Sequence, residues 1–300
     1  METIIQKLIS HGHVKTRIDL AKYCDKEVRA QLENDLDPHV RAAVAEFGTE
    51  NNRKRLAHDK NTLVRIAVAM HGNNDIHDIL VHDNSPVVRK QVAVYGDDTY
   101  RTELLHDPEP KVRIAVAQYG DDDIRALLID DEDEMVRIAV AQYGNDTHRE
   151  DLYKDPSPLV RAIVAEKGSQ HVRERMLHDT DNTVMRKLVR YGGDSIRKSI
   201  LVDQDNPSYL SLLEEYIIDD AVRYASKKLQ HEIATEFGDE AQRCIVARYG
   251  DDDIRALLID DEYDMVRFNV AAHGGPALRE KLKNDPSDDV RDAAEGGYDN

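Results

Sequence analysis

The sequence predicts an all-α fold, a solenoid of about 11 to 12 repeats of 24 residues, from three observations. The segment VRIAVAQYG at 112 to 120 returns unchanged at 136 to 144, and related segments start in the same phase at 40, 64, 88 and 160. Each of these copies ends at a glycine, and a shorter apolar segment follows that glycine. A fixed period of this length is typical of solenoids, in which each unit buries its apolar stripe only against its neighbours.

The composition argues against several classes of function. The chain carries 59 acidic and 41 basic residues, a net charge of -18, and such a surface repels phosphate backbones, so we expect no direct nucleic-acid binding. The two cysteines, Cys24 and Cys244, provide no disulfide framework and no cysteine-rich metal site. No stretch approaches the roughly 20 apolar residues of a membrane span, and no secretory leader is visible. We expect a cytoplasmic protein without a cofactor.

One repeat array predicts a single elongated domain over residues 1 to 300. Residues 1 to 15 form an N-terminal cap, with Ile4, Ile5 and Leu8 at helical spacing. Regular repeats cover 16 to 204, an irregular segment covers 205 to 241, and regular repeats resume at 242 to 296 before a short tail at 297 to 300. Within the irregular segment, SYLSLLEEY at 208 to 216 keeps the register, which places about ten extra residues after it.

Each repeat begins and ends with a recognisable helix signal. A short polar residue such as Asp37, Asn61 or Ser157 is suited to cap the free N–H groups of the first turn, and proline follows at several repeats. The closing glycine, as at Gly120, predicts a left-handed C-terminal cap. The long helix then has about ten residues and a length of about 15 Å. The five or six residues after it allow a short α or 3₁₀ helix.

An aspartate column lies six residues before an arginine column in the regular repeats. Helical angles place the arginine on the constant, packed side of the long helix, so we interpret the two columns as an internal ladder between stacked repeats. An exposed ligand-binding stripe is the alternative. The ladder residues of the central repeats are Asp107, Arg113, Asp131, Arg137, Asp155 and Arg161.

Three further columns have a structural and a functional interpretation each. A second arginine column opens the short helix, as at Arg125, and we expect pairing with nearby carboxylates rather than binding of an anionic partner. The tyrosine column, including Tyr119, is expected to fill the core rather than stack on bases. Histidines that precede the column aspartate, such as His106, are interpreted as solvated turn residues, because repeats roughly 10 Å apart do not bring metal ligands together.

The pattern D-P-x-P-x-V-R-x-A-V-A at 107 to 117, followed by a short leucine segment, resembles the leucine-rich repeat variant family and a shortened HEAT repeat. The resemblance covers about residues 14 to 204 and 240 to 296. It implies a right-handed superhelix of alternating α and 3₁₀ helices, with a ladder between repeats, that serves as a binding surface. One member of the variant family holds an iron-sulfur centre in an N-terminal cysteine cluster; this sequence lacks the cluster, so that cofactor is not expected.

The residues that vary from copy to copy gather on the opposite side of the long helix, as at Lys111, Ile114, Ala115 and Gln118. An exposed apolar strip of this kind marks a partner surface, and the alternative is that the short helices cover it. The predicted partner-binding residues are Leu63, Ile66, Met70, Val87, Val94, Lys111, Ile114, Gln118, Met135, Ile138, Gln142 and Leu159.

The leading functional hypothesis is therefore a non-enzymatic repeat scaffold that binds a protein partner through the variable face. A second hypothesis is an acidic mimic of nucleic acid that occupies the basic surface of another protein. A third is a HEAT-like enzyme with its chemistry in the irregular segment, near Tyr216, Arg223 and His231.

Overall fold

The computed structural model describes residues 4 to 202 and 215 to 296, and every regular element within these ranges is helical. Long helices of nine or ten residues alternate with other helices, which are shorter except for the ten-residue helix Gly193–Val202. The described residues contain twelve such long helices. The predicted all-α solenoid and its helix lengths are thereby confirmed. The chain divides into two compact units, Met1–His148 (unit 1) and Arg149–Asn300 (unit 2).

In unit 1, each long helix packs against the next long helix, and the short helices connect them. The first helix is α1 (Ile4–His11). The long helices are α2 (Val14–Tyr23), α4 (Pro38–Phe47), α6 (Thr62–His71), α8 (Pro86–Tyr95), α10 (Pro110–Tyr119) and α12 (Glu134–Tyr143). The short helices are α3 (Lys26–Leu32), α5 (Glu50–Leu56), α7 (Asn74–Leu80), α9 (Asp98–Glu103) and α11 (Asp122–Ala126), and α13 (Asp146–Leu152) contains the boundary.

Unit 2 repeats the same alternation. Its long helices are α14 (Pro158–Lys167), α16 (Asn182–Tyr191), α18 (Glu215–Arg223), α20 (Glu240–Tyr249), α22 (Asp264–His273) and α24 (Asp288–Gly296). Its other helices are α15 (Gln170–Glu174), α17 (Gly193–Val202), α19 (Lys227–Glu232), the π-helix Ile233–Phe237, α21 (Asp252–Arg255), the 3₁₀ helix Ala256–Leu258 and α23 (Pro276–Leu282).

The core consists of the third, seventh and eighth residues of the long helices from α4 to α22. In α10 these are Val112, Val116 and Ala117, and none of them is exposed. The spacing of four and then one residue keeps these side chains on one side of a helix with about 3.6 residues per turn. The short helices contribute residues such as Ile124 to the same core. Each repeat therefore buries an apolar stripe that only the neighbouring repeats can cover.

The ladder columns form ion pairs between consecutive repeats. Arg113 Nε and Nη2 each donate to the carboxylate of Asp131 at 2.8 Å, and Nη1 donates to the carbonyl oxygen of Asp107 at 2.8 Å. The hydrogen bond to Asp131 raises the pKa of Arg113. Asp131 Oδ1 also accepts the backbone N–H of Asp133 at 2.9 Å. Arg113 thus links its own helix to the turns that contain Asp107 and Asp131. Both charges of the pair have hydrogen-bond partners at a place where water has little access.

The same pairing of an arginine with the aspartate 18 residues later recurs in both units. Arg161 donates to Asp179 at 2.6 and 3.1 Å and to the carbonyl of Asp155 at 2.8 Å. Arg137 donates to the carbonyl of Asp131 at 2.8 Å. Further described pairs are Arg17 with Asp35, Arg41 with Asp59, Arg65 with Asp83, Arg89 with Asp107, Arg243 with Asp261 and Arg267 with Asp285.

Helix starts follow the predicted caps in most repeats. The side chain of Asp37 accepts the N–H of His39, and the side chains of Asn61, Asp133, Ser157 and Asp181 accept equivalent bonds. Neither Ser85 nor Glu109 makes a side-chain cap, although proline follows each of them. Proline at the first position has no N–H to satisfy, so these starts lose little without the cap.

The left-handed caps expected at the closing glycines are wrong. Gly120 has φ -69° and ψ 166°, an extended conformation that other residues adopt, and the one glycine with positive φ among the described residues is Gly193. Glycine is required at 120 by crowding, because an added Cβ would lie 2.7 Å from both Val116 O and Ile124 Cγ2. The short helix packs against the end of the long helix too closely for a side chain.

The second arginine column pairs with carboxylates, as predicted, at Arg101, Arg125, Arg197 and Arg255, and it also makes bonds that were not predicted. Arg125 Nε donates to the carbonyl oxygen of Ala117 at 2.9 Å and Nη2 to that of Gln118 at 3.3 Å, in addition to an ion pair with Asp122. Arginines 29, 53, 101, 173, 197 and 255 make the same bonds to carbonyls eight and seven residues earlier. Each of these arginines caps the last turn of the long helix before it, where carbonyls lack helical partners.

The predicted repeat segment at 208 to 216 lies almost entirely outside the described residues, so its register stays a prediction. The next described long helix is α18 (Glu215–Arg223). Ile217, Ala221 and Val222 are unexposed at the core positions of α18, which identifies it as a repeat helix. The next long helix, α20, starts slightly later than the regular spacing from α18 gives, and the π-turn closed by Gly238 N–H and Ile233 O accommodates the extra length.

Candidate interaction surface

The variable face of unit 1 is the side of the long helices opposite the core. It is formed by the second, fifth and ninth residues of α6, α8, α10 and α12, each of which packs against the next. The second residues are the most exposed: Leu63 by 39%, Val87 by 49% and Met135 by 53%, with Lys111 also exposed. Of the fifth and ninth residues, Lys90 is exposed and the others are half-buried: Ile66, Met70, Val94, Ile114, Gln118, Ile138 and Gln142.

The predicted site residues of unit 1 therefore lie together, in adjacent rows on one layer of helices. Leu159, 50% exposed, has the equivalent position in α14 of unit 2. Ala115, which helical angles placed on the same side, is only 1% exposed because it lies close to the neighbouring long helix. The exposed second residues show that short helices do not cover this face, which contradicts the competing interpretation for those positions.

The tyrosine column is exposed, so the prediction that it fills the core is wrong. Tyr95, Tyr119 and Tyr143 are 45 to 49% exposed. Tyr119 lies only about 60° around the helix from the buried Val116, at 100° per residue. It is nevertheless the last residue of its helix, and the chain turns away behind it toward the short helix. These rings form an aromatic margin along the variable face.

Along α16, α18 and α20 of unit 2 the variable face is basic and aromatic. Arg190, Arg223 and Arg248 have the same ninth position in α16, α18 and α20, which pack consecutively. Arg223 lies over the ring of Tyr249, 5.2 Å from its centroid, and Arg190 lies 5.7 Å from the ring of Tyr191. Arg248 is 4.0 Å from Asp219, at the limit of an ion pair. This Arg–Tyr row contrasts with the net charge of -18 of the whole chain.

An open groove of about 350 Å³ lies between α18 and α20, within the irregular segment and the repeat after it. Ile218, Ile245 and Cys244 supply its apolar wall, and burial raises the pKa of the Cys244 thiol. The groove opens on the same face as Arg248. Its size suits one or two side chains of a partner.

The residues proposed for an enzymatic site have different partners. Tyr216 contacts Arg186, whose guanidinium carbon is 5.0 Å from the ring centroid. Arg223 lies over Tyr249, and His231 Nδ1 is 3.4 Å from the hydroxyl of Thr235. The described structure does not bring the three side chains into contact with one another.

Two observations concern metals and membranes. Among residues 4 to 202 and 215 to 296, no three His, Cys, Asp or Glu side chains converge in the manner of metal ligands, and histidines 58, 82, 106 and 178 are exposed. None of the helices formed by these residues has the length and apolarity that crossing a membrane requires.

Comparisons with known proteins give similarity of structure only. Models of protein families show no match, and neither do curated protein sequences. The structure is similar to that of a leucine-rich repeat variant with a repetitive structural motif, at a TM-score of 0.50 and 22% identity over 72% of this chain and 88% of that chain. An engineered protein matches at a TM-score of 0.22 with 14% identity over 96% and 91% of the two chains. A designed armadillo repeat protein matches at 0.12 with 13% identity over 94% and 97%.

The last two similarities are too low to support an argument. The first agrees with the resemblance that the repeat sequence indicates and with the alternation of long and short helices. The chain therefore has the α-helical repeat fold of a leucine-rich repeat variant protein.

Proposed function

We propose that this repeat scaffold is non-enzymatic and binds a protein partner along the variable face of its long helices. The observation that carries the proposal is the row of exposed apolar side chains Leu63, Val87 and Met135 in unit 1, beside half-buried isoleucines. Water-exposed apolar side chains in one row, interrupted by Lys111 in α10, favour a partner that removes them from water.

The margins of this face support the same function. Tyrosine and arginine are enriched among the residues that dominate binding energy at protein interfaces. Tyr95 and Tyr119 line the face in unit 1, and Arg223 over Tyr249 provides the same combination in unit 2. A guanidinium held over a ring loses less side-chain entropy on binding than a free one, which favours affinity.

The test compares glutamate substitutions on the variable face with a glutamate substitution elsewhere on the repeat. The triple variant Leu63→Glu, Val87→Glu and Met135→Glu adds charge to the variable face, and Leu127→Glu is the matched control because Leu127 is 66% exposed after the short helix α11. Quantitative affinity purification identifies proteins retained by wild type and control. Calorimetry with the purified partner then measures affinity.

We expect the control to bind like wild type and the triple variant to bind at least about 100-fold more weakly, because burying even one unpaired charge costs several kcal/mol. Circular dichroism should show unchanged helix content in both. Equal binding by wild type and triple variant would contradict the proposed face.

The acidic surface favours one second candidate, mimicry of nucleic acid. The consecutive aspartates 121 to 123 and 251 to 253 are all exposed. A partner held by these charges should dissociate steeply as salt is raised from 50 to about 500 mM, whereas a partner on the apolar face should not. The salt dependence of the same calorimetric affinity therefore separates the two functions.

A further inference from the structure

A cleft of about 360 Å³ opens at the short-helix edge of unit 2, away from the variable face. Its lining includes Tyr153, Lys154, Arg175 and His178, together with the ladder pair Arg161 and Asp179. That pair is internally neutral, with distances of 2.6 and 3.1 Å. Lys154 and Arg175 remain as positive charges, and no described carboxylate lies within ion-pair distance of either.

Arg175 is held in one orientation by Tyr153. Its guanidinium carbon lies 4.2 Å from the ring centroid, and Nη2 donates to the phenol oxygen at 2.9 Å. The ammonium of Lys154 lies 5.2 Å from the same centroid. A guanidinium has five N–H groups in a planar fork, so most of them stay available to an oxyanion in the cleft.

Unit 1 shows what fills the equivalent place. Arg55 lies four residues before the ladder residue Asp59, and Arg175 lies four residues before Asp179. The partner of each arginine is 22 residues earlier in the chain: Glu33 for Arg55 and Tyr153 for Arg175. Arg55 donates to the Glu33 carboxylate through Nε at 2.7 Å and Nη2 at 2.5 Å. The Glu33 side chain is only 8% exposed and also accepts from Asn52.

The two places differ in one respect. Where unit 1 carries its own carboxylate, unit 2 carries a phenol that orients the arginine but supplies no negative charge. The hydrogen bonds from Lys154 and then Arg175 lower the pKa of Tyr153, which agrees with an excess of positive charge at this point. In a chain with a net charge of -18 such an excess is unusual.

We propose that the cleft formed by Tyr153, Lys154 and Arg175 binds a carboxylate from a second molecule, in the place that Glu33 occupies beside Arg55. The planar fork of Arg175 donates two parallel hydrogen bonds to a carboxylate, and Lys154 adds a point charge. The carboxylate belongs to a small organic acid or to an acidic side chain; these sources share the chemistry. The site lies apart from the variable face and does not depend on the proposed function.

The test measures binding of three probes at constant ionic strength: glutarate, a peptide with one glutamate and blocked ends, and inorganic phosphate. Ionisation of Tyr153 reports occupancy, read as the tyrosine absorbance of wild type minus that of Tyr153→Phe. A bound carboxylate neutralises the cations and should raise the pKa of Tyr153 in a saturable manner. Binding by the peptide as well as glutarate assigns the site to side chains, and binding by glutarate alone assigns it to small acids.

Two variants and one control make the result specific. We expect Arg175→Ala to weaken glutarate binding about tenfold or more, because a charged hydrogen bond contributes about 1.5 to 3 kcal/mol. Tyr153→Glu reproduces the Glu33 arrangement, so it should abolish binding and raise the melting temperature. Because these variants also alter or remove the reporter ring, their binding is read from the chemical shifts of the backbone amides around the cleft. Lys228→Ala removes a charge from a side chain that is 87% exposed outside the cleft, and its affinity should match wild type.

The proposal is overturned if shifts grow linearly with each probe and do not saturate, since that indicates screening only. It is also overturned if Tyr153→Glu still binds glutarate, or if phosphate saturates the cleft and no carboxylate does.

Discussion

Replacing Arg113 by methionine removes the positive half of one ladder pair and leaves Asp131 in place. The two side chains are 6% and 7% exposed, and Asp131 loses two hydrogen bonds of 2.8 Å. Breaking a buried ion pair on one side costs about 3 to 5 kcal/mol. We expect about 3 kcal/mol, because the exposed Glu132 carboxylate lies 3.5 Å from Arg113 and solvent therefore reaches the edge of the pair.

The chain itself indicates how the loss is offset. Met185 has the ladder position in α16 and is fully buried, so a long apolar side chain fits there. The double variant Arg113→Met and Asp131→Asn removes both charges and keeps an oxygen for the N–H of Asp133. Replacing a buried pair by apolar groups is often close to neutral, and we expect the double variant to cost about 1 kcal/mol.

Amide hydrogen exchange of α10 and α12 measures this locally, without assuming that the whole array unfolds in one step. About 3 kcal/mol corresponds to exchange faster by about 100-fold, and the double variant should return to within about tenfold of wild type. Lys54→Met breaks the exposed pair with Asp75 and serves as the control with no measurable change. Equal exchange in the single and double variants, or a single variant within tenfold of wild type, would refute the ladder energetics.

Three other predictions concern single side chains. Gly120→Ala should destabilise the protein by about 1 to 3 kcal/mol, seen as a lower melting temperature, since the new Cβ meets Val116 O at 2.7 Å, and Gly296→Ala, with open space around it, should not. The hydrogen bond from Arg267 is the main cause that lowers the pKa of Asp285. The stability that this group contributes is complete above a pH of about 4 and is lost as the pH falls further, so Asp285→Asn should weaken the dependence of the unfolding free energy on pH below about 4. Burial, and then the hydrogen bond to Asp78, raises the pKa of Tyr100 to about 12, so its stabilisation is lost as the pH rises from about 10 toward 12. Tyr100→Phe should lack both the late step in the tyrosine absorbance and this alkaline loss; an unchanged titration would contradict the assignment.

Much of the architecture follows from the sequence because each repeat is locally consistent. The fixed period predicts the long helices, and the apolar positions at Val112, Val116 and Ala117 predict their buried side. The constant Asp and Arg columns indicate pairing between repeats, since identical contacts recur wherever identical units stack. The variable face is visible for the same reason, as the positions that stacking leaves free to change.

Other features depend on how close the elements approach, which periodicity does not report. The exposure of Tyr119, the crowding at Gly120 and the carbonyls that Arg125 caps all arise where the long helix ends and the chain reverses. Helical angle describes neighbours within a helix and carries no information about the next element. For the same reason the predictions that the tyrosines fill the core and that the closing glycines are left-handed are wrong, and the helix caps made by the second arginine column were not predicted.

The repeat, its helices and the packed side of each helix follow from the sequence alone, because these depend on spacing along the chain. The assignment of α18 as a repeat helix follows only from tertiary packing, because Ile217 and Ala221 are unexposed at its core positions. Packing also brings the guanidinium of Arg175 over the ring of Tyr153 and brings Arg55 into an ion pair with Glu33. The two arginines have the same position in their repeats, and the difference between them lies in a partner 22 residues away that stacking brings into contact.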